Sequence, residues 1–294
     1  MNITLVLLAA YNGKAWLASQ VQTILEQNID KLYLFIGDDN SNDLSLQNLP
    51  LDVNVKVILQ SSDNSGSANN FFNLIRNANI AEFQFIALSD QDDIWDVDKL
   101  SSAIKMLEET NADGYSSNVT AFWLNGKTNL IDKAQPQREF DYMFESAGPG
   151  CTFVLTQKLA LHLQQFLIQN QQACKDVALH DWFIYAFART NGYKWVIDKV
   201  PHMQYRQHGN NVVGANVGLQ AKLTRWKKLR AGWLNTQAIL LADIIGYSDS
   251  WVIKRLKRNN LIDKLILIIN VSKFRRKFID RLALAASFLV GIKK

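Results

Sequence analysis

Phe83-Gln84-Phe85-Ile86-Ala87-Leu88 runs straight into Ser89-Asp90-Gln91-Asp92-Asp93, and from Asp96 to Leu107 apolar residues return at helical spacing. A short apolar run closed by a polar turn reads as a buried strand, and Asp96 or Asp98 suits the start of the helix that follows. The same unit appears upstream. Ile3 to Ala10 is a strand closed by Tyr11-Asn12-Gly13, after which Trp16, Leu17, Val21, Ile24 and Leu25 mark one apolar helix face. Leu32 to Ile36 is a second strand, closed by Gly37-Asp38-Asp39-Asn40-Ser41, and Val53 to Leu59 a third, followed by a polar loop and a helix over 69–78. Strands alternating with helices predict an α/β fold with a largely parallel sheet.

Beyond Asp113 the alternation loosens. Strands are expected at 115–124, 151–156 and 194–200, with helices at 157–170 and 181–191. After Gly218 the chain reads as helical and basic, so it divides into a catalytic-type domain over 1–218 and a helical region over 219–294.

A chain of 294 residues with 48% hydrophobic composition buries a substantial core. Cys151 and Cys174 stand far apart and in no metal-ligand spacing, which fits a reducing cytoplasm and suggests neither a disulfide framework nor a zinc site. The apolar start of the chain has no basic segment before it and reads as a strand, not a signal peptide. The longest apolar run, Leu282 to Ile292, falls short of the roughly 20 residues a spanning helix needs. The net charge of +5 conceals a division: from Lys222 onward 17 basic residues face four acids, while the preceding 221 residues hold 15 basic and 23 acidic.

Ligands of open α/β sheets bind where loops converge at the carboxyl ends of the strands. Asp38 and Asp39 lie at one such end, and Asp90, Asp92 and Asp93 at another. Three carboxylates on one turn repel each other unless a cation or hydrogen-bond donors compensate, and oxygen ligands suit Mg²⁺ or Mn²⁺. Read without context, the turn is equally a solvated loop ahead of a helix that welcomes acids.

The context is an ordered series: Leu8-Ala9-Ala10-Tyr11-Asn12-Gly13, then Gly37-Asp38-Asp39-Asn40-Ser41-Asn42-Asp43, then Leu88-Ser89-Asp90-Gln91-Asp92-Asp93-Ile94-Trp95. On these motifs, over residues 1 to about 215, the chain resembles family 2 glycosyltransferases of the GT-A fold, particularly bacterial rhamnosyltransferase-like members. The resemblance implies that Tyr11 and Asn12 border the nucleobase, that Asp39 reads it, and that Asp90 lies near ribose and metal. It also implies that Asp92 coordinates the ion bridging the diphosphate, while Asp93 supports that site or contacts the donor sugar. Asn64, Asn69 and Asn70 fall where similar enzymes carry polar residues near the nucleotide.

Within the same resemblance Asp181, in His180-Asp181-Trp182, matches the catalytic base of an inverting transfer; the plainer reading is a helix N-cap. Gly148-Pro149-Gly150-Cys151 matches a loop near acceptor and donor sugar, or is simply a turn. Tyr205-Arg206-Gln207-His208-Gly209-Asn210-Asn211 matches a region that closes over the donor. There Arg206 can grip diphosphate oxygens, His208 can ligate a metal, and Gly209 and Gly214 can act as hinges. His162 is read as a helix surface residue and His202 as structural.

In the basic region Val271, Phe274, Phe278, Leu282, Ala285 and Leu289 line up on one side of a continuous helix, with Lys273, Arg276 and Lys277 opposite. Such a helix suits an anionic membrane surface, with Trp226, Trp233 and Trp251 as added anchors, or else packs on the catalytic domain or a second subunit. Nucleic acid is not an expected partner of so acidic a body.

The reading is an inverting, metal-dependent glycosyltransferase on the inner face of the plasma membrane. It would move one sugar from a dTDP- or UDP-sugar to a lipid-linked oligosaccharide in O-antigen or capsule synthesis. The alternative is a catalytically silent nucleotide-sugar or glycan-binding module. A nucleotidyltransferase is disfavoured because no glycine- and basic-rich phosphate loop follows the first strand.

Overall fold

The computed structural model describes residues 2–47, 49, 54–59, 66–208 and 232–290. Its centre is a seven-stranded sheet of β1 (Ile3–Ala10), β2 (Lys31–Asp38), β3 (Val55–Leu59), β4 (Phe85–Ser89), β6 (Gly114–Ser117), β9 (Val154–Thr156) and β10 (Trp195–Asp198). The strand order is β10-β6-β9-β4-β1-β2-β3, and β9 alone runs antiparallel to its neighbours. Side chains alternate across a strand, so Leu5 and Leu7 of β1 enter one core while Val6, Leu8 and Ala10 enter the other. Helices α1 (Leu17–Leu25) and α3 (Lys99–Thr110) cover the second face, and α2 (Ser67–Asn77), α4 (Gln157–Gln169) and α5 (His180–Thr190) the first.

The register sets the site. Ala10 pairs with Asp38 and Leu8 with Ser89, so the carboxyl ends of β1, β2 and β4 finish side by side. A second sheet, ordered β5 (Ile94–Trp95), β11 (Met203–Arg206), β7 (Val119–Phe122) and β8 (Thr128–Ile131), brings Arg206 to the same edge.

The strand expected over 115–124 is two strands in different sheets. The chain turns at Asn118, whose Oδ1 accepts the backbone N–H groups of Lys133 and Ala134 and whose amide donates to the Lys199 carbonyl. Likewise only the end of the 151–156 run is strand, because Gly150–Thr152 forms a 3₁₀ turn.

The basic region folds as α6 (Trp233–Ile244), α7 (Trp251–Arg258), α8 (Leu261–Ile269) and α9 (Phe278–Val290). Ala238, Leu241, Val252, Ile253, Leu256 and Leu267 join the same core as Leu5 and Phe183, so these helices share the body's interior. The continuous stripe expected over 271–289 is broken. Val271–Lys273 is a 3₁₀ turn, and Phe274 is fully buried against Phe140, Phe144, Trp251 and Phe288. Arg276, expected in solvent, is buried and pairs with Asp141 at 3.1 Å and Glu145 at 3.5 Å. Trp233 and Trp251 pack against the core instead of standing out as anchors, and Trp226 lies outside the described residues. Among the described residues no helix is long and apolar enough to cross a membrane.

Candidate active site

The turns after β1 and β2 interlock. Asn12 adopts a left-handed conformation (φ 47°), which asparagine tolerates. Its N–H donates to Ser41 Oγ at 2.8 Å, and its side-chain oxygen accepts from Asn42 N–H at 3.0 Å. Behind them the buried Asn70 amide donates to the Gly37 carbonyl at 2.8 Å and the Ala10 carbonyl at 3.3 Å, joining the two strand ends. Asp39 is buried; one carboxylate oxygen accepts from Gly66 N–H at 2.7 Å, and the other has no hydrogen bond among the described residues. A buried acceptor without a donor is costly, so Asp39 is primed to take an N–H from a ligand. Tyr11 stands open at 56% exposure.

The turn after β4 is fastened to Tyr11. Gln91 Oε1 accepts Tyr11 N–H at 2.8 Å, and Gln91 Nε2 donates to the Tyr11 carbonyl at 2.9 Å. Gly13 leaves room for this clamp, since a Cβ there would lie 2.4 Å from Gln91 Oε1. Asp92 Oδ2 lies 2.6 Å from His208 Nε2, and the His208 ring stacks on Trp16 with centroids 4.1 Å apart. Arg206 holds the turn from the far side: its Nε donates to the Asp92 carbonyl at 2.8 Å and its backbone N–H to Asp93 Oδ1 at 3.1 Å. Its guanidinium also sits 4.7 Å over the Phe122 ring.

Of the two roles expected for it, Asp93 fits support of the site by its position. It is only 1% exposed and faces the interior, so it supports the turn and does not offer itself to the donor sugar. Near it Lys99, also 1% exposed, places its ammonium 3.5 Å over the Trp95 ring without a hydrogen bond among the described residues. Burial lowers its pKa to about 7, opposed by Cys151 and Asp93. Asp90, by contrast, is pushed up to about 7 by burial and by the charges of Asp92 and Asp181.

Donor atoms of Asp90, Asp93 and Cys151 lie within 4.8 Å of one another. Burial raises the Cys151 thiol well above its ordinary range, and a soft sulfur ligand is a poor match for a hard cation such as Mg²⁺ or Mn²⁺. Asp92 and His208, 2.6 Å apart, offer a carboxylate and an imidazole to a divalent cation, and Asp90 on the same turn carries charge repulsion from Asp92 that a cation would relieve; unlike Asp90, Asp93 and Cys151, these three are not drawn within 4.8 Å of one another.

Asp181 occupies the first turn of α5, where Leu179 takes the cap position, so it is not the N-cap. Its carboxylate accepts the Trp182 N–H at 2.7 Å. Burial raises its pKa to about 6, opposed by the Trp182 N–H, by Lys133 and by the Ser146 hydroxyl. Its charge contributes to the raised pKa of Asp90, so the two carboxyls lie near each other.

The glycines of the loop expected near acceptor and donor sugar, or simply as a turn, lie below the surface. Gly148 and Gly150 are buried, and a Cβ on Gly150 would lie 2.2 Å from His180 Nε2. Gly150 thus lies against the start of α5 and Gly148 against Ser116 and Ser117 at the end of β6, while Ser146 and Pro149 are partly exposed. Asn69 reaches the Lys175 carbonyl at 3.4 Å, and Asn64, Gly209, Asn210, Asn211 and Gly214 lie outside the described residues. His162, expected at the surface, is partly buried with Nδ1 3.0 Å from the Tyr193 hydroxyl, while His202 bridges Asp98 and Asp198 as a structural residue.

Sequence reasoning missed Gln91, Lys99, Ser146 and the role of Trp16. A signal existed for Lys99, which sits four residues before Ala103 on the buried stripe of α3. The others act across loops distant in sequence and leave no periodic trace.

Residues 5–159 match the family described as Glycosyl transferase family 2. The chain is 39% identical over 290 residues to the dTDP-rhamnosyl transferase RfbG of Shigella flexneri, covering 97% of this chain and 100% of that protein. Among solved structures it is similar to S. aureus TarS 1–349 in complex with UDP-GlcNAc (TM-score 0.54, 14% identity, 98% of this chain and 89% of that one). It is also similar to the mannosyltransferase PcManGT from Pyrobaculum calidifontis in complex with GDP-Man and Mn²⁺ (TM-score 0.51, 14% identity, 98% and 85%). At such identities the two structures speak for the fold, which is the GT-A arrangement.

Proposed function

The chain belongs to glycosyl transferase family 2 and is a glycosyltransferase, and from that premise we propose that it moves one rhamnosyl unit, with inversion, from dTDP-rhamnose to a lipid-linked oligosaccharide. The donor assignment is supported by full-length similarity to a protein named for dTDP-rhamnosyl transfer. The acceptor reading places the reaction in cell-surface polysaccharide synthesis, at the inner face of the plasma membrane.

One observation carries the chemistry: adjacent ends of β1, β2 and β4 gather Asn12, Asp39, Asp90 and Asp92 at one edge, and Asp181 lies close enough to act on Asp90. Asp39 turns its unpaired oxygen to the base, whose ring N–H is the complementary donor. Tyr11 lends its exposed ring as a wall. Asp90, Asp92 and His208 would hold Mg²⁺ or Mn²⁺, which when bound stabilises negative charge on the departing diphosphate. Asp181, held near neutral pKa by burial, receives the proton of the acceptor hydroxyl as that oxygen attacks the anomeric carbon and the diphosphate leaves.

A hydrolysis screen with Mg²⁺ or Mn²⁺ across dTDP-, UDP- and GDP-sugars tests this. Release of dTDP from dTDP-rhamnose ahead of the other donors is expected. Turnover with UDP- or GDP-sugars alone would refute the donor, and metal-dependent binding without turnover on any donor or added acceptor would favour the silent module.

A further inference from the structure

Helices α8 and α9 are apolar on two opposite sides. Leu267, Leu284 and Phe288 turn into the common core. On the far side of α8, Leu261, Ile262, Leu265 and Ile269 fill an arc of about 100° at 3.6 residues per turn. On α9, Phe278, Ile279, Leu282 and Leu289 fill an equal arc. All eight side chains are between 49% and 79% exposed, and neither arc contains a charged residue. The helices pack together, with Lys264 Nζ reaching the Leu289 carbonyl at 3.4 Å; because both bury their opposite sides in one core, the two arcs face outward together.

A contiguous apolar patch of this kind marks an interaction surface. Its rim is mainly basic: Lys264 and Arg281 flank the arcs, and Lys277 and Lys273, the latter paired with Glu139 at 3.0 Å, precede α9, against one partly exposed acid, Asp280. The acid beside it on α8, Asp263, is buried and paired with Arg258 at 2.7 Å. From 233 to 290 there are ten Lys and Arg against four Asp, so a second copy meeting this face would set like charges against each other. An anionic lipid surface matches both the apolar arcs and their rim, and helices of nine and 13 residues lie in an interface without spanning it.

The patch adjoins the acceptor end of the cleft. Arg276, two residues before Phe278, donates its backbone N–H to Glu145 at 2.7 Å and its guanidinium to the Ser146 carbonyl, and the Ser146 hydroxyl acts on Asp181. We propose that α8 and α9 together form a membrane-docking face that seats in the headgroup layer of an anionic bilayer and holds the Asp181 end of the cleft beside the lipid surface. This deepens the lipid-linked reading, and the readout that decides it, vesicle sedimentation, contains no sugar, so the two can fail separately.

The full-length protein is sedimented with phosphatidylcholine vesicles, with and without phosphatidylglycerol. Ile262→Glu with Ile279→Glu should lower binding more than about tenfold on the anionic vesicles, the scale of placing charge in an interfacial face. Lys264→Gln with Lys277→Gln should lower it on anionic vesicles alone, roughly fivefold per lysine. Melting temperature and donor hydrolysis in solution should match the parent; if the glutamates lower melting, Ile262→Ser with Ile279→Ser replaces them. Vesicle binding that survives the apolar substitutions would overturn the proposal. So would a parent protein that ignores vesicles yet forms a dimer that those substitutions dissolve.

Discussion

Asp92 Oδ2 and His208 Nε2 lie 2.6 Å apart, although 116 positions separate the two residues in the chain. Trp16 on the other face of the imidazole keeps the ring from swinging away. Both groups are thus positioned before any ligand arrives, which lowers the ordering cost of binding.

Substituting either member should therefore separate metal-dependent from metal-independent binding. For Asp92→Asn or His208→Ala, titration calorimetry with dTDP in Mn²⁺ should show affinity reduced by about 10- to 100-fold, the scale seen when metal-site groups are lost. In EDTA both variants should bind dTDP as the parent does. Equal losses under the two conditions would assign the pair to nucleotide contact instead.

Asp181 predicts a rate profile and a stability profile that move in opposite directions. As a base it must be ionised, so kcat should fall by about tenfold per pH unit below about 6. Asp181→Asn should lower kcat by roughly 10²-fold or more and flatten that limb. For stability, a raised carboxyl pKa means the folded chain binds the proton more tightly than the unfolded chain. The resulting penalty is absent below pH ~4 and complete above about 6. The asparagine variant should thus be more stable at neutral pH, on the order of 1–3 kcal/mol, with the gain gone near pH 4. Urea titrations at both pH values read this directly.

Gly150→Ala forces a methyl group against His180 Nε2, and the ring cannot yield freely because Phe71 stacks on it at 4.0 Å. His180 precedes Asp181, so the strain passes to the proposed base. A loss of about 1–3 kcal/mol in urea unfolding is expected together with lower kcat, while dTDP affinity stays at the parent value.

Arg276→Met leaves Asp141 and Glu145 without their buried partner. Arg189 still approaches Asp141 at 3.4 Å, so the expected loss is at the lower end of about 3–5 kcal/mol. Limited proteolysis should then cut first between α7 and α9. Resistance equal to the parent would mean that the aromatic cluster around Phe274 suffices to hold these helices.

The part of the fold that local pattern determines was readable: β1, β2, β4 and α3 each show a regular period and a polar stop. The breaks were not. Asn118 looks like any strand residue, and its function of turning the chain between sheets depends on Lys133, Ala134 and Lys199. In the candidate site, Asp39, Asp90 and Asp92 stand out in the ordered motifs and Asp181 through the family resemblance, but which carboxylate is buried does not. Asp93 is adjacent to Asp92 and only the fold turns it inward, toward Cys151 and Lys99. The helical arithmetic placing Phe274 and Arg276 on a surface helix failed for the same reason, since buried partners at Phe140 and Asp141 override local period.

The two hydrogen bonds between Gln91 and Tyr11 make the turn after β1 and the turn after β4 one rigid piece. On the proposed function, a nucleotide lying across them meets a gauge of set length. Adding or removing one phosphate would take either its base away from Asp39 or its charge away from Asp92. Such a cleft can reject mono- and triphosphates by measurement alone, with no contact devoted to excluding them.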